Sequence, residues 1–128
     1  MSQQQRRVVV VPVDDRVVGP ATPGIERQQA LATEGLWAGF VRTRPGMMSG
    51  WHHHGEFDTA VYVLSGAMRF EWGSADDDVA DAGPGDFVLV PKRVVHRESN
   101  QSEGLCDAIV VRAGQGSSSF NVEGPDAS

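Results

Sequence analysis

The sequence contains a single cysteine, Cys106, so no disulfide can close within the chain, which fits a reducing compartment. It also lacks any apolar run near the ~18 residues that a membrane-spanning helix needs. Arg6 and Arg7 precede the apolar run Val8 to Val11, but Pro12 interrupts that run well short of the roughly 7–15 residues of a secretory core. These absences together predict a cytoplasmic protein. Basic excess is missing too: 11 Lys and Arg against 17 Asp and Glu give a net charge of −6. An acidic chain without a basic stripe is a poor partner for a phosphate backbone or an anionic membrane, so neither nucleic acid nor membrane is expected. Strands alternating with long helices, the mark of an α/β fold, are absent, and no internal repeat is visible.

The chain has 128 residues, of which 40% are hydrophobic and 22% charged. That length suits one domain, and that composition suits a folded globular chain. Val8 to Val13 reads as a first strand, β-branched and closed by Asp14-Asp15. After a Gly/Pro loop, residues 25–33 read as a short helix. From Gly35 the punctuation becomes regular. Apolar runs at 36–43, 60–64, 67–72, 86–91 and 106–112 are separated by Gly, Pro and Asp clusters, the pattern of an all-β sandwich or barrel. The expected organisation is an N-terminal strand and loop or helix over 1–34, a barrel over 35–113 and a tail over 114–128. Asp76-Asp77-Asp78 lacks the spaced acceptors of a calcium loop and reads as a solvated hairpin tip.

All four histidines fall in two short segments. His52 and His54 are two apart, so on a strand they project from one face, as two ligands of one ion must, while His53 points the other way. Neutral imidazole is the commonest transition-metal ligand. His96, some forty residues on, opens a second strand after Pro91 and can supply a third nitrogen.

Here the chain resembles the cupin family, which carries two motifs, G-x5-H-x-H-x(3,4)-E-x6-G and G-x5-P-x-G-x2-H-x3-N. Gly46, His52, His54 and Gly66 match the first; Gly85, Pro91, His96 and Asn100 match the second, with Arg93 in place of the inner glycine. The resemblance implies an all-β, double-stranded β-helix (jelly-roll) barrel holding a divalent transition metal, Fe, Mn, Ni or Zn, on His52, His54 and His96. The family's glutamate is missing from its usual place. Counting back from Gly66 reaches Thr59, a poor ligand, whereas the shorter spacing from His54 reaches Asp58. Asp58 is the expected fourth ligand, with Glu56 or a water as alternatives.

Candidate cavity walls are Trp37, Phe40, Met47, Met48, Tyr62, Phe70 and Phe87, although for each of them plain core packing is the favoured reading. Tyr62 is a candidate polar handle near the metal, and both it and Glu56 are weak catalytic candidates. Arg42, Arg44 and Arg69 could meet an anionic substrate if they faced inward, and Trp51 is expected to face away from the metal. The resemblance implies a metal-dependent enzyme of dioxygenase, isomerase or cyclase type acting on a small organic molecule. The alternatives are a non-catalytic small-molecule binding or sensing module and, least favoured, a storage role. Strand edges, including Val8 to Val11, make a homodimer the expected assembly.

Overall fold

The computed structural model describes residues 7–19, 22–73, 78–117 and 119–125. Their strands are β1 (Val17–Val18), β2 (Ile25–Ala32), β3 (Leu36–Thr43), β4 (His52–His53), β5 (Asp58–Ser65), β6 (Met68–Trp72), β7 (Val79–Ala82), β8 (Phe87–Val90), β9 (His96–Ser99), β10 (Cys106–Ala113) and β11 (Phe120–Asn121). They form two antiparallel sheets, ordered β1-β2-β3-β10-β5-β8 and β11-β4-β9-β6-β7. The chain passes back and forth between the two sheets, as in a double-stranded β-helix.

Period-two burial explains the packing. On β10, Cys106, Ala108 and Val110 are buried while Asp107, Ile109 and Val111 are less so. On β5, Thr59, Val61 and Val63 point inward. Opposite them, Met68 and Phe70 of β6 and Ala82 of β7 close one core cluster with Val90 of β8. Val63 is fully buried, and a buried valine is worth about 1.5–3 kcal/mol relative to an exposed one.

The N-terminal region departs from expectation in two ways. Residues 25–32 form β2 and not a helix; the only helical piece among the described residues is a 3-10 turn at Val13–Asp15. Glu, Arg, Gln, Ala and Leu favour a helix locally. Pairing with β1 on one side and β3 on the other overrides that preference. Because β2 and β3 are hydrogen-bonded neighbours, the sheet begins before residue 35. The valines at 8–10 are in no strand and lie exposed, Val8 at 96%.

At the other end, β11 pairs with β4, so the C-terminal segment is stitched onto the histidine strand. Asp76 and Asp77 lie outside the described residues. No helix among the described residues is long and apolar enough to cross a membrane.

Candidate metal centre

Two strands bring the histidines together. β4 pairs with β9 through His52 opposite His96, which fixes those two side chains on one face. His54 follows β4 directly. One ring nitrogen from each of His52, His54 and His96 lies within 4.8 Å of the others, and these are the only such metal-competent group among the described residues. His54 and His96 are 4% and 2% exposed.

The two strand histidines are oriented by the backbone. Nδ1 of His52 lies 2.9 Å from the Gly50 carbonyl, and Nδ1 of His96 lies 3.0 Å from that of Val94. A carbonyl can only accept, so Nδ1 carries the hydrogen in both rings and the Nε2 lone pair is left for a ligand. His53 points away: its Nδ1 accepts from the Gly55 amide, and its ring stacks on Phe120 at 4.8 Å.

The carboxylate beside the cluster is Glu98. It lies two residues beyond His96 on β9, so both side chains share a face, and its Oε1 sits 3.6 Å from His52 Nε2. Burial pushes the Glu98 carboxyl up, but the His52 contact and the charges of His96, His52 and His54 outweigh it and hold it at about 2. For His52, burial pushes the pKa down, yet Glu98 turns the net shift upward. Burial holds His96 below the ordinary histidine value.

The structure brings neither Asp58 nor Glu56 to the histidines. Asp58 is exposed, and its Oδ1 accepts the Lys92 amide at 2.9 Å. Glu56 pairs on the surface with Arg93. Gly55, at φ 59°, breaks the two-residue alternation between His54 and both carboxylates, and on β5 it is Thr59 that turns inward.

The group opens into a cavity of about 650 Å³, within the usual range of roughly 300–1,000 Å³ for small-molecule sites. Of the expected wall residues, Trp37, Met47, Met48 and Phe70 line it. Phe40 lies outside the lining, between Arg16 and Arg42. Tyr62 and Phe87 are also outside it, with rings 4.6 Å apart. They pair across β5 and β8 on the outer face, where Phe87 is 78% exposed.

Arg42 and Arg69 are engaged on the surface by Asp107 and Asp81, and Arg44 is exposed. Trp51 does not line the cavity; Arg97 lies 4.6 Å over its ring. The cavity's own cations are Arg27 and Arg112, which the sequence reading did not single out. Cys106 also reaches the wall, but burial pushes its thiol up to about 11, which makes it a poor nucleophile.

With this geometry in view, comparison with known proteins decides the family. The cupin domain model matches residues 39–112, more than half of the chain. The chain belongs to the cupin family. A conserved protein with a double-stranded β-helix domain from Klebsiella pneumoniae superposes on this cupin with a TM-score of 0.73 at 20% identity, covering 92% of this chain and 100% of that one. KdgF from Halomonas sp. gives 0.70 at 20% identity, covering 85% and 96%. An oxalate decarboxylase from Bacillus subtilis gives 0.68 at 17% identity, over 80% of this chain and 29% of that longer one. At such identities the likeness is one of fold. No curated protein matches the sequence.

The cupin motif positions now have physical roles. Gly66 has φ +82°, and a Cβ there would collide with the Leu105 carbonyl. Arg93, at the motif's inner glycine, has φ 65° and is the only non-glycine with positive φ among the described residues. Asn100 is wholly buried. Its Nδ2 donates to the Thr43 and Gly104 carbonyls, and its Oδ1 accepts from the Ser102 amide and hydroxyl.

Proposed function

We propose that this cupin is a metal-dependent enzyme acting on a small organic molecule, with a divalent ion held by His52, His54, His96 and Glu98. The observation that carries this reading is the set of three converging imidazoles beside an ionised carboxylate in a cavity of ligand size. Metal–ligand bonds of about 2.0–2.2 Å put neighbouring donors roughly 3–4 Å apart. The 3.6 Å between Glu98 Oε1 and His52 Nε2 suits two donors of one ion. Glu98 abuts His52 but stands outside the group of three nitrogens that lie within 4.8 Å of one another, so it would complete the set by a turn of its side chain, and it is placed ahead of Asp58 as fourth ligand. Imidazole with carboxylate suits Mn, Fe, Ni or Zn, and the similar oxalate decarboxylase is described with Mn(II) centres.

When bound, such an ion supplies Lewis acidity toward a substrate oxygen. The chain's own residues do the rest. The Gly50 and Val94 carbonyls lock the His52 and His96 rings. Glu98 stays ionised at neutral pH and so offers the ion a negative oxygen. Trp37, Phe70 and Val110 narrow the space that water can fill. Exposed Val8 to Val10, with exposed Phe87 and Leu89 on edge strand β8, support association with a second copy.

The test is to load the protein with Mn(II) or Fe(II) and incubate it with catechols, 1,3-diketones and small organic acids, following substrate loss and O₂. Turnover that disappears in His96→Ala is the expected result. Metal bound without turnover of any compound would instead favour the non-catalytic binding module.

A further inference from the structure

Two polar groups in the cavity wall have no partner, and they are neighbours. The Nε of Arg112 and the Oγ1 of Thr59 are both buried and make no hydrogen bond among the described residues. Arg112 on β10 pairs directly with Thr59 on β5 and with Trp37 on β3, so the three side chains stand in one row on the inner face. Thr59 is 2% exposed, and all three residues line the same cavity as the histidines.

A guanidinium is a cation with five donors and no acceptor. Burying one without a carboxylate is costly unless something else neutralises it. Arg112 forms no ion pair among the described residues, unlike Arg42, Arg69, Arg93 and Arg97, which all hold carboxylates. Its guanidinium instead lies 5.0 Å over the Trp37 ring, and that ring is anchored by its own Nε1 donating to Gln29 Oε1 at 2.8 Å. The cation is thus braced by an aromatic face, while its Nε–H and the adjacent hydroxyl are left without partners. An orphaned buried donor normally marks a missing partner rather than tolerated waste.

We propose that Arg112 and Thr59 form an anion subsite that takes the carboxylate of the small organic substrate. The carboxylate accepts from the Arg112 guanidinium, which lines the cavity, and the Nε–H and the Thr59 hydroxyl, both covered in the free protein, turn toward it on binding. The rest of the molecule extends across the cavity toward the histidines. Charge-assisted pairing of this kind is short and directional, which suits orientation of a substrate. Arg27, also on the wall, adds positive charge near Arg112, while the Glu98 carboxylate attracts the guanidinium through space without forming an ion pair with it. The inference rests on the enzyme reading for the identity of the anion as substrate, but the subsite itself needs no metal.

The experiment is calorimetric titration of metal-free and Mn(II)-loaded protein with malonate and benzoate, each set against its uncharged amide, malonamide and benzamide. At least one carboxylate is expected to bind the wild type, and its amide is expected to bind more than about tenfold more weakly. Arg112→Met should weaken carboxylate binding about tenfold or more with unchanged Mn(II) content and a folded β-sheet spectrum. Arg112→Lys should restore part of it, and Thr59→Val should cost less than Arg112→Met. Equal binding of acid and amide, unchanged binding in Arg112→Met, or no carboxylate binding by the wild type would each overturn the subsite. Failure of Mn(II) to bind, with carboxylate binding by the metal-free protein intact, would instead count against the metal-centre reading alone.

Discussion

Two segments of this cupin carry carboxylates near the histidines, and they behave in opposite ways. The run from His96 to Asn100 turns its functional groups inward: His96 and Glu98 face the cluster, and Asn100 ties loops together at the strand's end. The rim formed by residues 55–58 and 92–93 turns its charges outward, with Glu56 on Arg93 and Asp58 on a backbone amide. What separates the segments is strand regularity. Alternation along β9 delivers every second side chain to one face, whereas a left-handed glycine at position 55 resets the alternation before Glu56 and Asp58 are reached. Proximity in sequence to a clustered histidine therefore counts for less than parity on an unbroken strand.

The inner segment should be the more sensitive of the two. The largest effect is expected from Asn100→Ala, which leaves the buried Thr43 carbonyl and the Ser102 amide without this partner and takes one of two partners from the Gly104 carbonyl and the Ser102 hydroxyl. A loss of about 3 kcal/mol in urea unfolding is predicted. A loss below ~1 kcal/mol would mean that water replaces the amide freely.

Next comes the contrast between the acids. Glu98→Gln should lower Mn(II) affinity roughly 10- to 100-fold, while Asp58→Asn should leave it unchanged. The reverse order would restore Asp58 as the fourth ligand. Asp58→Asn should still cost about 1 kcal/mol of stability, because the Lys92 amide loses a charged acceptor.

Acid sensitivity sharpens the same contrast. In metal-free protein the folded Glu98 carboxyl titrates at about 2, below its ordinary value of 4.5. Its stabilisation is therefore complete above the ordinary value and lost as pH falls from there toward about 2. His52 has the opposite sign. Its pKa is raised from 6.5, so its contribution is present below 6.5 and fades as pH rises through the folded value. Urea titrations across pH should show Glu98→Gln flattening the acid limb, and an unchanged limb would contradict the placement of Glu98.

The smallest effect belongs to the rim. A non-glycine in the left-handed region costs about 1–2 kcal/mol, and the exposed Glu56–Arg93 pair, screened by solvent, returns little of it. Arg93→Gly should accordingly match or exceed the parent in stability, and Arg93→Ala should fall below it. A marked loss in Arg93→Gly would show that the surface pair matters more than the backbone.

Much of this molecule is legible in its sequence, and the failures have physical causes. Both histidine segments and strands β3, β8 and β10 follow from apolar runs bounded by turns, because their inner faces meet one core. Strand β2 is hidden: its Glu, Arg, Gln and Ala residues carry helix propensity, and only its long-range partners make it a strand. The strand expected at Val8 to Val13 fails for the converse reason, since β-branched residues alone provide no partner. Glu98 was missed although the signal was present, as its spacing from His96 is the same two residues that link His52 to His54. Arg112 follows three inward residues of matching parity on β10, but an arginine ending an apolar run reads as solvated unless the neighbouring strands are known.

The most direct test of the account is elemental analysis of the protein after loading with Mn(II) and desalting at neutral pH, for the wild type and for His52→Ala, His54→Ala and His96→Ala. The account predicts about one ion per chain in the wild type and nearly none in each variant, with all four proteins folded. Equal metal content in the wild type and the three variants would contradict it.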